Sequence, residues 1–103
     1  MTDRKYVAIS IKHSTYDESP VPILWGKKRT LDNEERCFSG YTQDINKCEL
    51  YSLEDFQKSY GNGCIKCDAE VKMCFNYKRK YKKYDTVLVD FEELKQFLSF
   101  VEG

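Results

Sequence analysis

Apolar side chains alternate along residues 5–12, and this period constrains the fold more than any other feature of the chain. Val7, Ile9 and Ile11 share one side of an extended backbone. The other side carries Tyr6, Ala8, Ser10 and Lys12. A two-residue period predicts a half-buried strand, so the fold must contain a sheet.

A hairpin partner for this strand follows closely in the sequence. Residues 13–20 are polar and end in a proline, which indicates a turn. Alternation then resumes at Val21, Ile23 and Trp25, with Pro22 tolerable on an edge strand. These segments predict an N-terminal antiparallel hairpin.

The middle of the chain predicts short extended pieces rather than long elements. Residues 27–35 form a charged connector, and residues 36–42 and 48–51 flank an Asp-Ile-Asn turn at 44–46. Gly40 indicates a bulge or a close approach of the backbone there.

Two helices are predicted from capping residues and apolar spacing. Ser52 and Asp55 have the spacing of a capping box and predict a helix over 53–60, ended by Gly61-Asn62-Gly63. Residues 86–89 predict a late strand. Asp90 and Glu93 then cap a last helix with the apolar stripe Leu94, Phe97, Leu98 and Val101.

Residues 69–83 fit two structures. Val71, Met73, Phe75 and Tyr77 alternate as in a strand, whereas helical spacing fits about as well. We favour a helix, because Asp68 can cap it and the following residues are good helix formers.

The order of elements predicts an α+β fold, in which two or three helices pack on a small antiparallel sheet.

Length and composition predict one folded domain over residues 1–103. A chain of 103 residues can bury a modest core without disulfides or metal. Its 41% apolar content and fifteen aromatic residues are too high for a disordered chain. Seventeen basic and seventeen acidic side chains cancel, which excludes attraction of nucleic acid by a net positive charge.

The sequence predicts a cytoplasmic protein. Its N-terminal segment lacks the apolar region and cleavage site of a signal peptide. No apolar run approaches the roughly 18 to 20 residues of a membrane span. Five cysteines, an odd number, argue against a disulfide framework in a reducing compartment.

Four of the cysteines could form a zinc site. Cys64 and Cys67 have the spacing of a zinc knuckle, and Cys37 and Cys48 would have to complete the set. The alternative is that these thiols are buried as small apolar side chains. A redox pair at Cys64 and Cys67 is disfavoured, because only half of the expected strand–helix context is present.

The segment 77–84 concentrates positive charge next to aromatic rings. Its cations are Lys78, Arg79, Lys80, Lys82 and Lys83. On a helix, Tyr77, Tyr81 and Tyr84 would share one face, so that bases could stack on the rings while the cations contact phosphates. The alternative interpretation is a buried aromatic stripe with lysines extending into solvent.

Two aromatic and glycine-containing stretches could frame a small ligand pocket. For a nucleotide-like ligand we predict Trp25, Lys27, Arg29 and Tyr41 as the binding residues. Aromatic rings would stack on the base and the cations would meet phosphate. The alternative is that Trp25 and Phe38 belong to the core.

Signatures of enzymes are missing from the sequence. His13 is the single histidine, and the spacings of hydrolase nucleophiles, phosphate-binding loops and zinc peptidases do not occur. The adjacent pairs Glu34/Glu35 and Glu92/Glu93 point to different sides and make poor acid–base partners. We therefore predict a binding protein without catalysis.

Five short stretches resemble a group of small bacteriophage and prophage accessory proteins of unassigned function. They span most of the chain outside its cysteine-rich middle: Tyr6–Ser14, Leu24–Gly26, Ser39–Thr42, Glu49–Ser52 and Tyr84–Val89. The resemblance implies an anti-defence protein that works in the host cytoplasm. It would inhibit a host defence protein or sequester a signal nucleotide.

One alternative function and the question of assembly stay open at this point. The alternative is a zinc-stabilised module that binds nucleic acid through the cations of 77–84. A homo-oligomer could form through an apolar edge strand such as residues 21–25.

Overall fold

The computed structural model describes residues 4–14, 19–31, 34–60, 67–70 and 72–102. It confirms the α+β class. The elements in chain order are β1 (Tyr6–Ser10), α1 (Ile11–Ser14), β2 (Leu24–Trp25), β3 (Tyr41–Thr42), β4 (Leu50–Tyr51), α2 (Leu53–Tyr60), β5 (Cys67–Glu70), α3 (Tyr77–Lys80), β6 (Thr86–Asp90) and α4 (Phe91–Glu102). Among these described elements, α1 and α3 are single turns, so α2 and α4 are the two substantial helices.

The described strands form one sheet in the order β3-β2-β1-β6-β5. β4 lies off this order and also pairs with β1, at Tyr6 and Val7, whereas β2 pairs with β1 at Ile9. β1 and β6 are antiparallel over five residue pairs, from Tyr6 opposite Asp90 to Ser10 opposite Thr86. β5 runs parallel to β6 and has an irregularity between Asp68 and Glu70. The predicted antiparallel sheet is therefore confirmed, with one parallel edge strand.

β1 lies at the centre of the sheet and is buried on both faces. Val7 and Ile9 belong to the core cluster under α4, whereas Tyr6 and Ala8 pack with Phe56 of α2. The predicted alternation is correct, but the strand is fully buried rather than half-buried, because a helix covers each face. The strand also ends at Ser10, before the predicted Lys12, and the chain turns into α1.

The N-terminal hairpin is confirmed, although its second strand is short. β2 pairs with β1 in antiparallel orientation, with Ile9 opposite Leu24. The turn at 44–46 is also present, where the backbone N–H groups of Lys47 and Cys48 donate to the Asp44 carbonyl at 3.0 and 3.1 Å. The strands on either side of this turn do not pair with each other, since β3 pairs with β2 and β4 pairs with β1.

The predicted capping box of α2 is confirmed. The Asp55 N–H donates to Ser52 Oγ at 3.1 Å, and the Ser52 N–H donates to Asp55 Oδ2 at 2.8 Å. Arg4 adds an ion pair from its Nε to the same carboxylate at 3.0 Å. This carboxylate therefore joins the N-terminal segment to the start of α2. The predicted stop at 61–63 lies outside the described residues.

The Asp55 carboxylate makes stability depend on acid pH. Burial acts to raise its pKa, but hydrogen bonds from Arg4 and Ser52 outweigh burial and hold the pKa below its usual value. A lowered pKa stabilises the folded state above the unfolded pKa of about 4, and this contribution is lost as the pH falls through the folded pKa. We expect Asp55→Asn to lower the free energy of unfolding by about 1 to 2 kcal/mol at neutral pH.

Urea unfolding between pH 7 and pH 3 tests this expectation. The difference between the wild type and Asp55→Asn should shrink as the pH falls below about 4. Glu54→Gln, at the exposed neighbour in the same helical turn, should keep the wild-type pH dependence. A difference between wild type and Asp55→Asn that stays constant over this range would contradict the assignment.

The helix favoured for residues 69–83 is wrong. Residues 67–70 form β5, and within the described part of the segment only Tyr77–Lys80 is helical. The parallel pairing of β5 with β6 outweighs the local helix propensity. Tyr77 is 2% exposed and Tyr81 is 9% exposed, so the rings anchor this segment in the core.

The late strand and the last helix are confirmed. Asp90 Oδ1 accepts the N–H groups of Glu92 and Glu93 at 2.9 and 3.2 Å and caps α4. Along α4, Leu94 and Leu98 are buried, and Phe97 and Val101 are half-buried. Within the described residues, no helix has the length and apolar character that crossing a membrane requires.

Candidate functional site

The structure brings together two of the four residues predicted to bind a nucleotide. The centroids of the Trp25 and Tyr41 rings lie 4.8 Å apart, and the His13 ring lies 4.5 Å from Tyr41, with the rings tilted against each other. The Trp25 indole N–H donates to Thr86 Oγ1 at 3.2 Å. Trp25 also packs against the cluster of Phe56, which favours the alternative that it belongs to the core.

The cations of this predicted pocket lie apart from each other. Arg29 donates to the Cys48 and Ile45 carbonyls at 2.6 and 3.0 Å. Its guanidinium also lies over the ring of Phe91, which packs on the α4 side of the sheet. Lys27 instead packs alongside Gly40. Arg29 therefore lies across the sheet from Trp25, and the four side chains do not converge on one cavity.

The basic segment 77–84 has exposed cations, two buried rings at Tyr77 and Tyr81, and a half-buried ring at Tyr84. Arg79, Lys80, Lys82 and Lys83 are exposed. Lys78 is half-buried, and its Nζ donates to the Ser19 carbonyl at 2.6 Å. The tyrosines at 77 and 81 lie in the core, so they offer no open face on which a base could stack. The geometry favours the interpretation of solvated lysines around a buried aromatic stripe.

The described cysteines do not form a cluster. Cys48 is buried, and its thiol donates to the Ile45 carbonyl at 3.3 Å. Burial raises the pKa of Cys48 to about 11. Cys37 is exposed, Cys64 lies outside the described residues, and only the strand position of Cys67 is described. The described residues contain no group of three metal-binding side chains, and the zinc site stays a prediction.

Glu49 is a buried acid that the sequence analysis did not single out. It is fully buried, and its carboxylate accepts the Phe38 N–H at 2.9 Å and the Cys37 N–H at 3.0 Å. The Thr30 hydroxyl donates a further hydrogen bond. Burial acts to raise the pKa of Glu49, but these donors outweigh it and hold the pKa below its ordinary value.

The bonds of Glu49 stabilise an unusual backbone segment. Phe38 has a φ of 51°, in the left-handed region that costs a non-glycine residue about 1 kcal/mol. Its ring stacks on Tyr51 at 4.9 Å. The carboxylate lies beside a cavity of about 170 Å³, but its oxygens already accept three donors. Glu49 is therefore a structural acid rather than a general base.

Two exposed phenylalanine rings and one half-buried ring form an aromatic surface between α4 and the loop before α3. Phe75 is 64% exposed and Phe100 is 72% exposed. Their ring centroids lie 4.9 Å apart, and Phe97 lies 5.5 Å from Phe75. With Met73 they line a cavity of about 340 Å³. We call Met73, Phe75, Phe97 and Phe100 the phenylalanine patch.

The loop that carries Phe75 is fixed by hydrogen bonds on both sides of the ring. The Met73 N–H donates to Glu93 Oε1 of α4 at 3.1 Å. The Tyr81 hydroxyl donates to the Lys72 carbonyl at 2.9 Å, and the Tyr77 N–H donates to the Cys74 carbonyl at 3.1 Å. These hydrogen bonds hold the loop residues of the phenylalanine patch in place beside α4.

A larger groove lies on the other side of α4. It measures about 670 Å³ and runs between the 44–46 turn and the helix, over a floor of Val21, Ile45 and Leu98. Its rim is polar, and rim groups such as Asp44 already hydrogen-bond to the backbone of the turn. The phenylalanine patch is the stronger candidate, because it places large aromatic side chains in water.

No family model, curated protein or solved structure matches this chain. The functional assignment therefore depends on the geometry of the surfaces described above.

Proposed function

We propose that this protein is a non-catalytic binding protein that holds a partner protein on the phenylalanine patch. The observation that carries the proposal is the contact between two phenylalanine rings that are 64% and 72% exposed. Burying one such side chain in an interface is worth roughly 1.5 to 3 kcal/mol. The exposed rings of Phe75 and Phe100 contribute little to the stability of the fold, whereas burying both rings in an interface would stabilise a complex.

The shape of the phenylalanine patch also fits a protein partner better than a nucleotide. Interfaces between proteins are organised around a few aromatic anchors in a desolvated centre. Phe75 and Phe100 supply such anchors, and Phe97 and Met73 form the floor beneath them. Trp25 and Arg29, both predicted to hold a nucleotide, instead lie on opposite faces of the sheet, so the sequestering of a signal nucleotide is less well supported.

The resemblance to phage accessory proteins would make the partner a component of host defence. The protein would then act by stoichiometric inhibition in the cytoplasm of the host cell. Origin, location and target are proposals that the resemblance supports.

Selection from a random-peptide display library tests the proposed function. Peptides enriched on the wild-type protein should bind the double variant Phe75→Ser/Phe100→Ser at least about tenfold more weakly, because it lacks both aromatic anchors. Leu31→Ser is the matched control, since Leu31 is 67% exposed on a different segment. Enriched peptides that bind the wild type and the double variant equally would contradict the proposal.

Nucleic-acid binding is a second candidate function, favoured by the exposed cations of the 77–84 segment. None of Arg79, Lys80, Lys82 and Lys83 makes an ion pair with a described carboxylate. If they contact phosphates, the affinity for an oligothymidylate should fall by at least about tenfold as the salt concentration rises fourfold from low ionic strength. An affinity that does not respond to salt would exclude this function, and Lys28→Glu should leave the response unchanged.

A further inference from the structure

We infer that the segment of the partner that binds the phenylalanine patch is an acidic amphipathic helix. The inference depends on the proposed function and names the chemistry of the partner at the same site. It follows from three features of the structure: the position of the patch in the fold, the charge beside it, and the type of surface that it offers.

The phenylalanine patch is continuous with the basic helix α3. The ring of Phe97 meets the ring of Tyr77, with centroids 6.1 Å apart, and Tyr77 is the first residue of α3. The other three residues of this helix are Lys78, Arg79 and Lys80. A partner that covers the aromatic rings therefore meets this cationic turn at the margin of the contact.

The loop before α3 adds a further cation. Lys72 is exposed, and its backbone is bonded to Tyr81, directly after α3. The described carboxylate that lines the patch belongs to Glu93 and accepts the Met73 N–H. Residues 72–83 contain six lysine or arginine side chains and no acidic one, so this margin is a local excess of positive charge. Charge complementarity then selects acidic residues around the apolar anchors of the partner.

A partner would contact the phenylalanine patch through side chains and not through the backbone of a sheet edge. Its aromatic rings come from α4 and from the loop before α3, so the patch does not offer the row of backbone groups that an added strand would need. An amphipathic helix presents apolar side chains at i, i+3, i+4 and i+7 and suits a side-chain surface of this kind. Acidic residues on its flanks would then face Lys72, Arg79 and Lys80.

Fluorescence polarisation with three synthetic helical peptides tests the inference. All three carry leucine and phenylalanine at i, i+3, i+4 and i+7, and the remaining positions are glutamate, glutamine or lysine. We expect the glutamate peptide to bind about tenfold more tightly than the glutamine peptide, and the lysine peptide to bind most weakly. Phe75→Ser/Phe100→Ser should weaken the glutamate peptide by at least about tenfold.

A charge reversal identifies the cations responsible. Arg79→Glu/Lys80→Glu should reverse the order, so that the lysine peptide binds more tightly than the glutamate peptide. Lys28→Glu/Lys47→Glu makes the same change in charge at two exposed sites on other segments and should preserve the order. An unchanged order in the 79/80 variant would overturn the inference.

The remaining outcomes separate the inference from the proposed function. Glutamate and glutamine peptides that bind equally, and that both require Phe75 and Phe100, would overturn the acidic partner while leaving protein binding intact. Binding of an oligothymidylate at these rings, without binding of any peptide, would overturn both and assign the surface to nucleic acid. Self-association that Phe75→Ser/Phe100→Ser abolishes would assign the surface to a second copy of this chain and would also overturn the inference. Failure of every probe to bind would overturn both proposals.

Discussion

Replacing Glu49 with alanine should lower the free energy of unfolding by about 3 to 5 kcal/mol. The substitution removes the acceptor for two backbone N–H groups and one hydroxyl that are held at a fully buried carboxylate. Each buried donor left without a partner costs about 1 to 3 kcal/mol. The left-handed conformation of Phe38 also loses the bond that holds it. Urea unfolding followed by circular dichroism measures the loss.

Two further variants show whether the carboxylate itself is responsible. Glu49→Gln keeps the shape of the side chain and one acceptor oxygen, so it should lose less stability than Glu49→Ala. Glu35→Ala removes an exposed carboxylate from the adjacent connector and should change stability by no more than about 0.5 kcal/mol. If Glu49→Ala were as stable as Glu35→Ala, the role assigned to the buried carboxylate would be incorrect.

The elements that the sequence predicts correctly are those with strong local signals. α2 and α4 begin at capping residues whose bonds depend only on neighbours three positions away. β1 and β6 have apolar residues that suit a buried strand, and their five-residue pairing satisfies both. These four elements determine the α+β class, because they fix one sheet with a helix on each face.

The errors arise where a distant contact decides the local structure. Residues 67–70 become a strand because they pair with β6, about twenty positions along the chain. β1 is buried on both faces because α2 covers the side predicted to be exposed. Neither contact leaves a signal within a short window of sequence. Local propensity therefore predicts a helix over residues 69–83, and the two-residue period predicts a half-buried β1.

The candidate site was predictable only in part. Phe97 belongs to the predicted apolar stripe of the last helix, whereas Phe100 lies off the buried line of Leu94 and Leu98. An aromatic residue off the stripe of an amphipathic helix is the signal that could have identified this surface. Phe75 could not have been placed beside Phe100 in advance, because its position depends on the bond between Met73 and Glu93.

Replacing Phe56 with alanine should cost about 3 to 5 kcal/mol of stability, comparable to the loss at Glu49. Phe56 is fully buried, and it presents its ring to Tyr51, Phe38 and Trp25 at centroid distances of 4.8, 5.2 and 6.5 Å, all near a right angle. Alanine would leave a cavity among three rigid rings that cannot all move into it. Trp25, the single tryptophan, reports the change through a shift of its fluorescence emission to longer wavelength.

The same substitution at Phe100 separates folding from binding. Phe100→Ala removes a ring that is 72% exposed, so it should change stability by no more than about 0.5 kcal/mol while weakening the glutamate peptide. Phe56→Leu keeps most of the buried volume and provides a folded variant if Phe56→Ala does not fold. It should bind the peptide as the wild type does, because Phe56 packs against Trp25, Phe38 and Tyr51 on the face of the sheet opposite to α4. A stability loss below about 1 kcal/mol for Phe56→Ala would show that this face of the sheet is not a packed core.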